Sequence, residues 1–509
     1  MSDNKRIAKN TLFLYFRMFL TMGLGLYSSR LILESLGVID YGIYGIVGGI
    51  VTMFSFFNSA MISATERYLA FDIGQNNYTK LKKTFNSVLI IHFLIAILVL
   101  ILAETIGIWF LNNHLVIPKD RLYAANWVFQ FSIFSFFFTI IQVPYVAMIV
   151  AKEHLNIYAY INVLETILKF ISVVLLFYIG QNNDRLIIYA FFITLTALII
   201  RFIYWIYCKK KFRETHYEFS YDKKYYVELL SYSGWNLFGN IAGVVRGQGV
   251  NVLLNLFFGP VLNATFSLTL MIQGVITNFV SSFQMAVNPQ IVKNYAANKK
   301  EESLKLIFLS SKFSFSILSI LIVPLLFNME YVLKLWLDKV PYYLVNFLQL
   351  ALIFSMIETI SNPIMFGLQA TGKIRNYQAF VGSLIMLNFP IIWILFELDF
   401  SPNVIFYVYL IISIIALLIR LYFVKKLMNI QITSFFKNVL YPILLLSIIL
   451  FVITYFIKTK LDNPVSFFQF LIQTSCILTV CIITIYIIIL TKQEKQFLSN
   501  FIKSKIINK

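Results

Sequence analysis

Arginines inside long apolar runs are the residues of this sequence with the most chemistry to do. A charge at mid-span costs about 2.5–3.5 kcal/mol on insertion scales, so each one needs an explanation. In the first run Asn10, Arg17, Thr21 and Ser28 are spaced 7, 4 and 7, which puts them on one helical face. In the seventh, Arg246 sits beside a stripe of Asn236, Asn240, Gly243, Gly247 and Asn251. A guanidinium fork matches phosphate oxygens, so Arg17 and Arg246, with Asn240 nearby, suit an anionic substrate in a water-filled cavity. For Arg17 the alternative is snorkelling toward the headgroups at the near end of its helix. Arg246 lies near mid-span and has no such exit. Arg30, toward the far end of the first run, is either an interfacial anchor or a cavity cation.

Other charged pairs divide between structure and function. Glu165 and Lys169 stand four apart with Glu first, an order that allows an internal ion pair; the other use is contact with substrate or a cation. Glu358 has no charged neighbour within one turn of its own helix. It either binds a coupling proton or sodium ion or pairs with Arg246. Glu66 and Arg67 form either a gate or an interfacial ion pair. Gln273, Gln284 and Asn288 are expected to hydrogen-bond between helices, and Gly239, Gly243 and Gly247 to form a small-residue ridge for close packing.

The elements that must carry these residues follow from composition. Of 509 residues 59% are hydrophobic and only 13% charged, about half the charged share of a soluble protein. So little polar surface requires lipid as the solvent. Within lipid every backbone donor and acceptor must be satisfied internally, which leaves helix bundles or closed barrels. Continuous apolar runs exclude the alternation of a barrel. The fold class expected is therefore an all-α polytopic membrane protein of about 14 spans. They fall near residues 11–33, 42–65, 85–111, 122–150, 155–179, 186–208, 231–258, 265–291, 307–332, 343–369, 379–397, 403–424, 439–457 and 467–490.

The net charge of +19 is topological and calls for no nucleic acid. Of 42 lysines and arginines, 28 fall on the side of the termini and 8 on the other, with 6 inside spans. By the positive-inside rule both termini are cytoplasmic. Three cysteines and four histidines are too scattered for a disulfide framework or a metal site. The basic N-terminus leads into a retained first helix with no cleavage pattern.

The sequence also reads as duplicated. Pro144, Ala151, Asn156 and Tyr158 return in the same order as Pro363, Ala370, Asn376 and Tyr377, displaced by about 219. Leu81-Lys82-x-x-Phe85 returns as Leu304-Lys305-x-x-Phe308, displaced by 223, and the turn at Gly37 returns at Gly259, displaced by 222. Six crossings return a chain to its starting side, so the repeats are parallel. The expected organisation is an N-lobe over 1–208, a cytoplasmic loop over 209–230, a C-lobe over 231–424, and two further helices with a cytoplasmic tail over 425–509.

Several short motifs bear a family likeness. They are Lys9-Asn10-Thr11 entering the first helix, Leu36-Gly37-x-x-Asp40-Tyr41-Gly42-x-Tyr44, and Glu66-Arg67-Tyr68-Leu69. Pro144 to Lys152, Asn288-Pro289 and Gln369-Ala370-Thr371-Gly372-Lys373 complete the set. The chain resembles the multidrug/oligosaccharidyl-lipid/polysaccharide exporter superfamily, and within it the Wzx-type O-antigen and polysaccharide flippases. The resemblance implies two six-helix lobes around a central cavity. It implies translocation of an undecaprenyl-pyrophosphate-linked oligosaccharide from the cytoplasmic to the periplasmic leaflet of a bacterial inner membrane, by alternating access. The partners would be that lipid-linked oligosaccharide, membrane lipids and polysaccharide assembly proteins. No cofactor is expected beyond a coupling H+ or Na+.

Enzymatic readings fail on the motifs. Gly367-x-x-x-x-Gly372-Lys373 is followed by Ile374 where a phosphate-binding loop needs Ser or Thr. Neither a Gly-x-Ser-x-Gly elbow nor His-Glu-x-x-His is present. Two alternatives to a flippase remain. An ion-coupled small-molecule exporter would not need the cations of the first and seventh helices; a membrane-embedded polymerase or ligase would need a long outer loop that this topology denies. Cysteines placed at 210 and 299 should react with membrane-impermeant thiol reagents only from the cytoplasmic side, and one at 119 only from outside.

Overall fold

The computed structural model describes residues 3–52, 55–113, 117–178, 184–218, 222–337, 340–460, 464, 466–492 and 494–496. Among the described residues every regular element is a helix, as the apolar runs require. Chain contacts divide it into two compact units. The first comprises Met1–Ile241 with Val292–Lys299, the second Ala242–Ile291 with Lys300–Lys509.

The first unit is built from α1 (Asp3–Thr52), α2 (Ser55–Gly74), α3 (Tyr78–Leu102), α4 (Leu122–Ala151), α5 (Leu155–Tyr178), α6 (Arg185–Lys211) and the start of α7 (Lys223–Val244). The first expected span and part of the second are one element, bent at Gly37, whose φ of 78° favours glycine. The second crossing then continues through α2, past its expected end. α4 packs on α3 and α6, and α5 lies against α1. Ile43, Val47, Leu111, Val128 and Phe129 share a buried core there.

In the second unit a π-turn, Val245–Gly249, carries the chain into α8 (Val250–Phe258). There follow α9 (Pro260–Ala296), α10 (Lys300–Phe327), α11 (Leu344–Ala370), α12 (Arg375–Met386), α13 (Asn388–Glu397), α14 (Val404–Met428), α15 (Tyr441–Lys460) and α16 (Phe467–Ile488). α11 packs against α10 and α14, and α16 against α10. Phe266, Phe347, Phe406 and Tyr409 form an aromatic core. Large side chains left outside, such as Leu256 and Phe451, suit acyl chains.

Twelve stretches among the described residues are long and apolar enough to cross a bilayer, from Tyr78–Asn113 to Phe467–Ile488. They match the third to fourteenth expected spans. α1 and α2 are not among them, so twelve and not about 14 meet this measure. α2 carries Glu66, Arg67 and Asp72, which dilute its hydropathy.

Three unusual backbone positions recur at nearly one interval. Gly37 and Gly259 both have φ of 78°, and they stand 222 apart. Asn76 and Asn298, also 222 apart, have φ of 54° and 60°. Glu153 and Gly372, 219 apart, have φ of 63° and 74°. These left-handed residues end or break helices, so corresponding turns are made alike in both halves of the duplicated sequence.

Polar contacts tie down the described residues between α6 and α7. Lys152 pairs with Glu214 at 2.8 Å, Lys82 pairs with Glu218, and Lys83 lies 3.5 Å from Asp222. The Glu218 amide donates to Asn86 Oδ1 at 3.0 Å. Beside them the buried Asp72 accepts from Thr84 and lies 3.4 Å from Lys80. Burial and the ammonium groups of Lys211, Lys152 and Lys293 push the nearby His154 imidazole below its usual value. Lys293, at the end of α9, pairs with Glu153.

Gly74 faces that same lysine. An added Cβ would sit 2.7 Å from Lys293 Cα and closer still to its carbonyl oxygen, and backbone cannot yield as a side chain can. Gly74→Ala should therefore destabilise the purified protein by about 1–3 kcal/mol, in the range of overpacking. A thermal melt in detergent would read this as a lower transition temperature than wild type.

Candidate functional site

Six basic residues lie inside spans, and what meets each one sorts them. Lys169 pairs with Glu165 at 2.6 Å, the internal i,i+4 bridge that their order allows. Lys312 lies 3.4 Å from Glu494 and from the Ile489 carbonyl at the end of α16. Arg420 lies 3.8 Å from Glu358. The other three, Arg17, Arg201 and Arg246, meet aromatic groups and have no carboxylate within 4 Å among the described residues.

Arg17, on α1, is held by α5. Its Nη1 donates to the Tyr158 hydroxyl at 3.2 Å, and its guanidinium carbon lies 5.1 Å from that ring. Its buried Nε has no hydrogen-bond partner among the described residues. Along α5 from Tyr158, Asn162 donates to the Tyr204 hydroxyl at 3.2 Å, and then comes the Glu165–Lys169 pair. These spacings of three to four residues set a polar strip on one face of α5. Lys169 is about half exposed and Glu165 less so. Thr21 and Ser28, on the Arg17 face, bond back to their own helix, at Met18 and Leu24.

Arg67, on α2, is buried and lies over three rings: Tyr68 at 4.5 Å, Phe71 at 4.7 Å and Tyr232 at 5.3 Å. Such stacking holds a planar guanidinium by its faces. Glu66, one residue before, points about 100° away around the helix, and is half-buried.

Arg246 belongs to the π-turn that links α7 to α8. Its guanidinium lies 5.0 Å from the Phe354 ring and 5.8 Å from that of Tyr409. Its own carbonyl accepts a hydrogen bond from the Tyr409 hydroxyl at 2.5 Å. Asn240, on α7, is half-buried. Among the described residues the glycine ridge serves no close packing at Gly243 or Gly247. A Cβ added at Gly243 or Gly247 would meet nothing within 4 Å, so this stripe borders open space. Arg30 lies on α1, with its side chain outside the described residues.

Glu358 corrects one expected alternative: its partner is Arg420 and not Arg246. Arg420 on α14 is nearly fully buried between Glu358 of α11 and the Tyr377 hydroxyl of α12, 3.4 Å from its Nε. Arg246 instead packs one turn away on α11, over Phe354. Gln273 donates to Ser355 at 2.7 Å and Gln284 to Ser314 at 3.0 Å, the interhelical bonds expected of them.

Arg201 and Arg420 are two of the span cations, and no local motif in the sequence assigns them a role. The repeat carried the signal. They stand 219 apart, the interval of Pro144 and Pro363, and each lies against a tyrosine. Arg201 is 4.4 Å from the Tyr145 ring.

Breaking the Arg420–Glu358 pair should cost more than removing both charges, because a single deletion leaves a buried charge unpaired. Arg420→Met should lower the folded fraction recovered from membranes. Arg420→Met with Glu358→Gln should restore part of it, as read by size-exclusion of detergent-extracted protein.

Comparison with known proteins agrees with this architecture. Residues 7–294 match the family model described as polysaccharide biosynthesis protein. Curated proteins contain no match. Among solved structures, a MOP superfamily transporter from Pyrococcus furiosus, described as having a binding pocket of reverse polarity, superposes with a TM-score of 0.70 at 11% identity. That match covers 84% of this chain and 97% of the other. A MATE transporter in a straight conformation gives 0.70 at 12% identity, covering 84% of this chain and 98% of that one. An outward-facing multidrug resistance MATE transporter of the MOP superfamily gives 0.69 at 12%, covering 84% and 97%. The chain is a multi-pass membrane protein of the polysaccharide biosynthesis protein family, built on the transporter fold of the multidrug/oligosaccharidyl-lipid/polysaccharide exporter superfamily.

Proposed function

We propose that the chain carries an undecaprenyl-pyrophosphate-linked oligosaccharide from the cytoplasmic to the periplasmic leaflet of a bacterial inner membrane, by alternating access. One observation carries the reading. Arg17 in the first unit and Arg246 in the second are span cations held by aromatic groups, with no carboxylate within 4 Å among the described residues. An intramembrane guanidinium left without its counter-ion favours an incoming anion, and its fork fits phosphate oxygens. The oligosaccharide part supplies the link to the family's biosynthetic role.

The remaining residues take supporting parts in this proposal. Asn240, half-buried on α7, would meet hydroxyl groups of the cargo. Lys169, once released from Glu165, and Arg30 would add positive charge for the cargo. Glu358, Glu165, Glu66 and Arg67 would serve gating or coupling, with H+ or Na+ as the ion. Both termini would be cytoplasmic, and polysaccharide assembly proteins would supply the cargo and receive it.

A second reading has one observation in its favour. The solved neighbours include multidrug resistance transporters, so export of small molecules coupled to an ion gradient fits the fold equally. Complementation separates the two. In a strain lacking its own flippase, the wild-type gene should restore surface polysaccharide, while Arg17→Ala and Arg246→Ala should each abolish it with protein still in the membrane. Full polysaccharide from both variants would overturn the reading. Failure of the wild type, together with raised drug resistance, would favour the exporter.

A further inference from the structure

The π-turn at Val245–Gly249 is a feature of the second unit that ordinary helix propensity does not explain. A π-turn inserts one residue into a helix, widens it and tilts carbonyl groups away from the axis, so it persists only where the surroundings hold it. Here the surroundings are specific. Phe389 of α13 packs on Gly249, so closely that a Cβ there would lie 2.9 Å from its ring. On the α14 side the Tyr409 hydroxyl donates to the Arg246 carbonyl at 2.5 Å.

Tyr409 is itself rigidly held. It is 4% exposed and packs against Phe406 at 5.8 Å and Phe354 at 5.5 Å between ring centroids. The same two rings, Tyr409 and Phe354, flank the Arg246 guanidinium. One tyrosine therefore meets both ends of the same residue, main chain and side chain.

We infer that Tyr409 is the positioning residue for Arg246, with its hydroxyl holding the π-turn and its ring, beside Phe354, setting the direction of the guanidinium. This rests on the reading that Arg246 meets the phosphate of the cargo. Without the hydroxyl, the turn can relax toward regular α-helix, which rotates every later side chain and takes Arg246 off its aromatic seat.

A double-mutant cycle tests this on the purified full chain in detergent, with geranylgeranyl pyrophosphate as the probe and its dissociation constant as the readout. Arg246→Ala should weaken binding about tenfold or more, the scale of a lost charge-assisted contact. Tyr409→Phe, which keeps the ring, should weaken it about threefold to tenfold, the scale of one hydrogen bond. The double variant should bind no worse than Arg246→Ala alone. Wild-type affinity in Tyr409→Phe, or an equal further loss when it is added to Arg246→Ala, would overturn the positioning role and leave Arg246 as a ligand. Wild-type affinity in Arg246→Ala would overturn both. Should Tyr409→Phe fail to accumulate, Phe354→Leu removes a ring and leaves the hydrogen bond. Its loss must likewise vanish in the Arg246→Ala background, and a loss that persists there counts against the inference.

Discussion

Everything in this protein answers to the cost of holding charge in hydrocarbon. Roughly 20 apolar residues per crossing make the spans cheap to insert, and each cation within them gives back about 2.5–3.5 kcal/mol of that gain. The six span cations meet that cost in two ways. Lys169, Lys312 and Arg420 take carboxylates, at 2.6, 3.4 and 3.8 Å. Among the described residues, Arg17, Arg201 and Arg246 meet aromatic rings and no carboxylate within 4 Å. An aromatic face offsets part of the desolvation of a guanidinium and leaves its net charge standing. Such a charge can still attract an anion, whereas a paired one cannot without first breaking its pair. That difference, and not the mere presence of arginine, divides the span cations into paired ones and ones whose charge stays open to an anion.

The duplicated sequence uses this division unequally. Corresponding turns recur at 37 and 259, at 76 and 298, and at 153 and 372, each with a left-handed backbone. Tyr158 and Tyr377 are also repeat mates, 219 apart, and both bind an arginine. Their arginines come from different places, Arg17 from the first helix of its half and Arg420 from the last expected span of the other. Glu358 joins the second cluster and makes it an ion pair, while the first keeps an unneutralised cation. Two halves built on one plan thus present different electrostatics.

Outside the spans the problem reverses, and charges are cheap but must be ordered. The segment between α6 and α7 is short, yet Glu214, Glu218 and Asp222 each meet a lysine from another stretch of the first unit. The two exposed pairs, Lys82–Glu218 and Lys83–Asp222, contribute little stability individually, while Lys152–Glu214 is largely buried. Their effect is to hold a connecting segment in one place, together with the buried Asp72–Thr84–Tyr225 contacts beside it.

The amino-acid sequence alone determined the solvent, the all-helical class, most of the spans and the identity of the cations within them. Those follow from composition and runs along the chain, where the hydrophobic cost of each residue is paid locally. It also held the Glu165–Lys169 pair, because four residues on one helix bring two side chains together without any help from the fold. Tertiary structure decided the rest. That Glu358 faces Arg420, 62 positions along the chain, and that Tyr409 reaches the carbonyl of Arg246, 163 positions before it, depends on how separate helices rotate and pack. The π-turn belongs there too, since no local propensity inserts a residue into a helix; neighbouring side chains must take up the carbonyl it displaces. Interhelical contacts of this kind leave no periodic trace, and so the difference between a paired and an unpaired arginine is written only in three dimensions.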